Sequence, residues 1–175
     1  MTKTAIYRAK NFAIRLGTFR SPSGKESRKL IYVDQPEVVI AIPLLPDGRI
    51  VLIEQWRPLT GQVTLECPGG KVERGESVTD AIVRELSEEI GYRPAGLRFL
   101  GDFYSSVGTS TERIYCFVAT DLATTARSPQ DEIEISLRYF SPEDLRAKLR
   151  KSMFSDGKTQ LALTSYFSFF CDSSH

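Results

Sequence analysis

Residues 69–92 read GGKVERGESVTDAIVRELSEEIGY. Two glycines open the stretch, a polar loop follows, and then the apolar residues recur with a helical period. Ser77 stands where an N-cap belongs, with Asp80 three residues on, and Gly91 stands where a C-cap belongs. The spacing predicts a helix over Ser77–Ile90. At about 100° per residue, Val78, Ile82, Leu86 and Ile90 trace one apolar stripe. Glu85, Glu88 and Glu89 fall within an arc of roughly 100° beside it, at the margin of the face to be buried. Carboxylates so placed repel one another, and partial burial raises the cost. A hard divalent cation relieves it, and Mg²⁺ is typically held by a few carboxylates with substrate phosphates and water. The competing reading is a solvated acidic face, the commoner meaning of Glu-Glu near a helix end.

The residues around the helix favour the first reading. Gly70, Glu76, Arg84, Glu85, Leu86, Glu88, Glu89, Gly91 and Tyr92 fit the pattern G-x5-E-x7-R-E-U-x-E-E-x-G-U, with U bulky and apolar. Tyr92 fills a position that is more often aliphatic. With each fixed residue type at a frequency of about 6%, the seven fixed positions coincide by chance at roughly 10⁻⁹ per window. The pattern is the Nudix box, and the chain resembles the Nudix hydrolases. Gly69-Gly70 lets the backbone turn tightly into the loop. Arg84 is spaced to tie that loop down through a charge-assisted bond to Glu76, so both are read as structural. Gly70-Lys71 does not belong to a P-loop, because Leu65 and Val72 stand where that motif needs a glycine and a hydroxyl residue.

Around this stretch, Arg28–Val33 and Glu37–Leu45 read as strands, and Pro46-Asp47-Gly48 as a turn into a strand over Arg49–Trp56. Glu37–Trp56 is therefore expected as a hairpin. Val63–Glu66 is short and extended. Leu97–Tyr104, Arg113–Thr120 and Ile135–Phe140 are further strands, and Arg20–Arg28 is a hairpin loop. Ser141-Pro142-Glu143-Asp144 starts a helix that runs to about Lys151. Thr159–Phe170 is expected as a last helix, docked by Leu161, Leu163, Tyr166 and Phe170. Strands and helices mix without regular alternation, which points to α+β, or a mixed sheet between helices, rather than a doubly wound parallel fold.

The resemblance extends beyond the box. Gln55-Trp56-Arg57-Pro58 followed by Glu66-Cys67-Pro68-Gly69-Gly70 is similar to a run found in ADP-ribose pyrophosphatases and related nucleotide-sugar Nudix enzymes. This implies a Nudix fold, a mixed β-sheet sandwiched between α-helices with extra antiparallel N-terminal strands. Residues 1–36 would be that extension, serving dimerisation and the substrate site, and residues 37–175 the hydrolase domain. The implied activity is Mg²⁺-dependent cleavage of a nucleoside diphosphate sugar, ADP-ribose to AMP and ribose 5-phosphate, with Mn²⁺ as a substitute metal. Implied metal ligands are the carbonyl of Gly69 and the carboxylates of Glu85 and Glu89, with Glu88 close by. Arg57, Glu66, Gly70 and Glu112 would meet the substrate, with Glu66 at the site mouth. Glu112 has two other readings, as a contact to a metal or as a partner of Arg113 or Arg57. In this branch the base often comes from a late acidic loop, here with Glu132 and Glu134 as candidates against a plain solvated loop. Enzymes of this branch are usually homodimers.

One departure bears on the substrate. Ser106-Val107-Gly108 stands where ADP-ribose enzymes usually carry Ser-Pro-Gly, which keeps GDP-mannose or another nucleoside diphosphate derivative open. A Nudix-fold sensor that binds nucleotide without cleaving it is the reading from a different class. The intact set of Glu85, Glu88 and Glu89 argues against it.

Composition narrows the chemistry further. The sole histidine is His175, which removes histidine general-base, Ser-His-Asp and HExxH mechanisms. Cys67, Cys116 and Cys171 have neither the number nor the spacing of a disulfide framework or zinc site. With 23 basic and 22 acidic residues, the net charge of +1 gives no electrostatic ground for binding nucleic acid or a membrane surface. The start lacks an apolar signal core and no apolar run is long enough to span a bilayer, so a cytoplasmic protein is expected.

Overall fold

The computed structural model describes residues 2–24, 27–127 and 135–169. An antiparallel sheet comes first, with strands β1 (Thr2–Arg8), β2 (Ala13–Arg20) and β3 (Ser27–Asp34) in sequence order. β2 and β3 pair from Ala13↔Asp34 to Arg20↔Ser27, so the polar Arg20–Arg28 stretch is the hairpin end expected of it.

The remaining strands are β4 (Val38–Pro43), β5 (Ile50–Arg57), β6 (Gln62–Glu66), β7 (Gly69–Lys71), β8 (Tyr92–Tyr104), β9 (Arg113–Thr124) and β10 (Ile135–Phe140). They form a four-stranded mixed sheet, β7-β4-β9-β8, and a three-stranded antiparallel sheet, β10-β5-β6. The expected hairpin over Glu37–Trp56 is corrected here. The turn forms, with the Gly48 amide bonded to the Leu45 carbonyl and Gly48 at positive φ. Beyond a single Leu44↔Ile50 bridge, however, β4 and β5 separate into different sheets. The reason is edge occupancy: β4 is already paired to β7 on one side and to β9 on the other, so no ladder remains for β5.

Helix α1 (Val78–Ile90) covers one face of this framework, and α2 (Pro142–Arg150) and α3 (Gly157–Phe169) cover the other. Strand alternation sorts side chains between the two cores. Val39, Ala41, Val51, Ile53, Phe117 and Ala119 pack with Ala81, Ile82, Leu86 and Ile90 of α1. Their neighbours Ile40, Ile42, Ile50, Leu52, Cys116 and Val118 pack with Leu145 of α2 and with Leu163 and Tyr166 of α3. Burial on both faces explains why β4 and β5 read as continuous apolar runs rather than alternating ones. Among the described residues, no helix is long and apolar enough to cross a membrane.

The helix caps follow the sequence. The Ser77 hydroxyl accepts from the Asp80 amide at 3.1 Å and bonds the Asp80 carboxylate, and Gly91 ends α1 in the left-handed region at φ 71°. Ser141 caps α2, with Pro142 in its first turn. Two expectations for α3 change. It begins at Gly157, because the Asp156 carboxylate caps it by accepting from the Thr159 amide at 3.0 Å. Leu161 is 42% exposed, while Thr159, Ala162, Leu163, Tyr166 and Phe167 form the buried stripe. Leu161 lies roughly 200° around the helix from Leu163, so both cannot face one core. Phe170 lies outside the described residues.

Thr159 joins α3 to the end of β6. It is fully buried, its Oγ1 accepts from the Cys67 amide at 2.7 Å, and it donates to Asp156 at 2.8 Å. Thr159→Val keeps the shape but leaves a buried amide unpaired, which should cost about 1–3 kcal/mol, while Thr159→Ser should lose less. Urea unfolding measures both; equal stability of Val and wild type would contradict this role for the hydroxyl.

Candidate active site

The carboxylates of α1 meet the backbone of β7, and two glycines permit that approach. Gly69 sits at φ 151°, a region that side chains rarely adopt. A Cβ there would strike the Val39 carbonyl oxygen and lie 2.7 Å from the Ile40 Cα. A Cβ at Gly70 would enter the Glu85 carboxylate, 2.6 Å from its Oε2. The Gly69 amide donates to Glu89 Oε2 at 2.8 Å. The loop backbone is thus seated directly against two of the three glutamates.

Arg84 anchors the loop, as its spacing from Glu76 suggested. Its Nε and Nη2 donate to the two Glu76 oxygens at 2.9 and 3.1 Å, and Nη2 also reaches the Lys71 carbonyl at 2.9 Å. Glu76 accepts in addition from the Glu73 amide at 2.9 Å. Nη1 of Arg84 turns back to Glu85 at 2.9 Å and to Glu88 at 3.2 Å. The bond from Arg84 holds the Glu76 carboxyl below its ordinary range, and Glu76 in turn raises Arg84.

Burial acts the other way on the remaining carboxylates. It pushes Glu89 up to about 8, against the opposing Gly69 amide and with Glu85 adding to the rise. It also raises Glu85, against the pull of Arg84. The donors are all hard oxygens, and two are carboxylates that pay for burial without a full countercharge, so the chemistry fits a hard divalent cation. Among the described residues, no group of three or more His, Cys, Asp or Glu side chains converges as a ready-made cage. Here Arg84 and the Gly69 amide engage these carboxylates instead.

Next to this cluster lies a second ion pair. Arg57, at the end of β5, donates through Nε and Nη2 to the two oxygens of Glu66 at 2.7 and 2.6 Å, and Thr64 donates to the same carboxylate at 2.6 Å. Glu66 is 4% exposed, so it lies buried beneath Arg57 rather than at an open mouth. Glu66 raises Arg57, and Glu89 feels both charges, so this pair stands within electrostatic reach of α1. Glu112 ends the loop after β8, its amide bonded to the Ser110 hydroxyl. It pairs with neither expected arginine: Arg113 bonds Asp102 at 2.7 Å, and Arg57 bonds Glu66. That loop is docked on β3 by Thr109, Thr111 and Ser110, which bond Val33 and Gln35. Val107 at its tip is 87% exposed. Glu132 and Glu134 lie outside the described residues. Thr64 and the Lys71 carbonyl, both used here, carried no signal in the sequence, since either is an ordinary residue until the fold sets its partner beside it.

Residues 34–160 match the family model described as the NUDIX domain. The ADP-ribose pyrophosphatase of Bacillus subtilis (strain 168) is 28% identical over 165 residues, 93% of this chain and 89% of the relative. The methanol dehydrogenase activator of Bacillus methanolicus is 28% identical over 161 residues, 90% of this chain and 86% of the relative. A solved structure described as an ADP compounds hydrolase shares the fold with a TM-score of 0.83 at 20% identity, covering 99% of this chain and 94% of that one.

The two glycines should fail differently. Gly69→Ala meets rigid backbone in a strained region and should destabilise the fold by at least about 1–3 kcal/mol. Gly70→Ala meets only a movable carboxylate, so its melting temperature should stay within a few degrees while hydrolysis falls about 100-fold through displacement of Glu85. Thermal melts and initial rates check the pair; a Gly70→Ala protein with full activity would contradict the close approach.

Proposed function

The chain belongs to the Nudix family and is a Nudix hydrolase, and we propose that it cleaves the diphosphate of a nucleoside diphosphate sugar, ADP-ribose first, giving AMP and ribose 5-phosphate. The observation that carries this reading is the seating of the Gly69-Gly70 backbone against Glu85 and Glu89, two carboxylates raised by burial. Similarity to the Bacillus subtilis ADP-ribose pyrophosphatase over most of both chains supports the choice of substrate. Exposed Val107, standing in the loop where a proline is usual, favours keeping GDP-mannose as the second candidate.

Glu85 and Glu89, with Glu88 nearby and the Gly69 carbonyl, would hold Mg²⁺, or Mn²⁺ in its place. Bound there, the cation would neutralise phosphate charge and supply an activated water. The protein's own part is positioning. Arg84 keeps the loop against the helix through Glu76 and the Lys71 carbonyl. Arg57, braced by Glu66 and Thr64, presents a guanidinium to substrate phosphate, where planar donors suit phosphate oxygens. Gly70 lets the loop lie against Glu85 and would border the bound substrate there, and Glu112 would be a further contact at the end of its loop. Glu132 or Glu134 would take the proton from the attacking water.

We further read residues 1–36 as an extension that builds a homodimer and reaches the substrate, with 37–175 as the hydrolase domain, in a cytoplasmic protein. Exposed apolar side chains in the first sheet, among them Ile6, Leu30 and Ile31, support an interface. An open pocket of about 340 Å³ beside these strands is lined by Arg8, Lys10, Phe12, Arg15, Asp34 and Gln35.

Incubation with Mg²⁺ and a panel of ADP-ribose, GDP-mannose, NADH and diadenosine polyphosphates, followed by assay of released phosphomonoester, tests the substrate class. ADP-ribose should turn over fastest, and no turnover of any compound would sink the proposal. Chelation should abolish activity and Mn²⁺ should restore it. Glu89→Gln should lower kcat by about two or more orders of magnitude.

A further inference from the structure

We propose that Arg127 is a positioning residue for this reaction, fastening the carboxylate-bearing end of α1 to the first residue of β10. Its Nε donates to the Glu89 carbonyl at 2.6 Å and its Nη2 to the Ile135 carbonyl at 2.8 Å. The Glu89 carbonyl is one of the last four of its helix and has no partner within it. The chain after β9 is fitted closely to this end: the Thr125 amide bonds the Gly91 carbonyl at 2.9 Å, and a Cβ on Gly91 would lie 3.5 Å from the Arg127 Cβ.

Two further observations give the contact its sense. The last turn of α1 carries no basic residue, yet it carries Glu88 and Glu89 at the negative pole of the helix. Arg127 brings a cation to that pole from elsewhere in the chain. Ile135, its other partner, pairs with Gln55 on β5, two residues before Arg57. One guanidinium therefore links the helix that carries Glu89 to β10, which is paired in turn with the strand that carries Arg57. A planar fork can bridge two carbonyls in this way, whereas a lysine ammonium is a point donor. The inference rests on the proposed hydrolase reading, since it assigns Arg127 the task of holding Glu88 and Glu89 at a set distance from the phosphate-facing arginine.

Arg127→Ala and Arg127→Lys in the full chain test it. Both bonds are at an exposed site, so the melting temperature of each variant should stay within a few degrees of wild type. In Arg127→Ala, kcat should fall about 10-fold or more with KM within about threefold, the signature of a displaced group rather than lost binding. Amide hydrogen exchange of metal-free protein at residues 88–91 and 135–137 should quicken about 10-fold, a readout independent of activity. Arg127→Lys keeps the charge but not the bridge, so it should recover less than half of the lost kcat. Wild-type exchange at both segments, kcat of Arg127→Ala within twofold, or full recovery by lysine would each overturn the proposal. A wild-type enzyme inactive on every diphosphate would overturn the proposed activity and the positioning role with it, while exchange would still decide whether the bridge exists.

Discussion

The site depends on the contact between the β7 backbone and the α1 carboxylates, which exists because residues 69 and 70 have no side chains. β7 must pair with β4 through Ile40↔Gly69 and Val39↔Gly70, and the loop that follows must also lie against Glu85. Both requirements are met only by removing Cβ atoms. The Gly69 amide then has Glu89 as its acceptor, and the strand, loop and helix become one unit. The remaining elements support it. β4 lies between β7 and β9, and α1 is pressed onto the sheet by Ile82, Leu86 and Ile90. Burying each of these is worth about 1.5–3 kcal/mol.

Electrostatics makes the same unit unusual. A helix with Glu85, Glu88 and Glu89 on its flank pays for repulsion and burial, and Arg84 relieves only part of that, because its Nε and Nη2 go to Glu76 and the loop carbonyl. Of these three glutamates, Glu85 and Glu89 have a raised affinity for protons, because burial disfavours their charged forms. Here the charge is retained at the margin of the core, where a cation is worth more than in water.

Much of the fold was legible because local rules and burial agree. Ser77 and Gly91 bound α1, Ser141-Pro142 starts α2, and the apolar runs of β4 and β5 mark strands covered on both faces. The β4–β5 connection was misread because a Pro-Asp-Gly turn reports only on itself. Whether the strands it joins remain paired depends on which edges of β4 are already taken, and β7 and β9 take both. Leu161 was misplaced because one apolar helix position looks like another until the opposing wall is known. The Asp156 cap was missed for a similar reason, since the helix start was read from the apolar pattern alone.

For the site, the sequence by itself determined the residue types and their spacing: three glutamates on one helix flank, an arginine spaced to reach Glu76, and two adjacent glycines. These are matters of residue type and helical period, which survive without knowing the fold. The tertiary structure alone decided the partners. It buried Glu66 beneath Arg57, sent Arg113 to Asp102 rather than Glu112, and brought Arg127 to the carbonyl of Glu89 across 38 positions of chain. Such pairings depend on which side chains meet across strands and helices distant in sequence, and no local spacing encodes them.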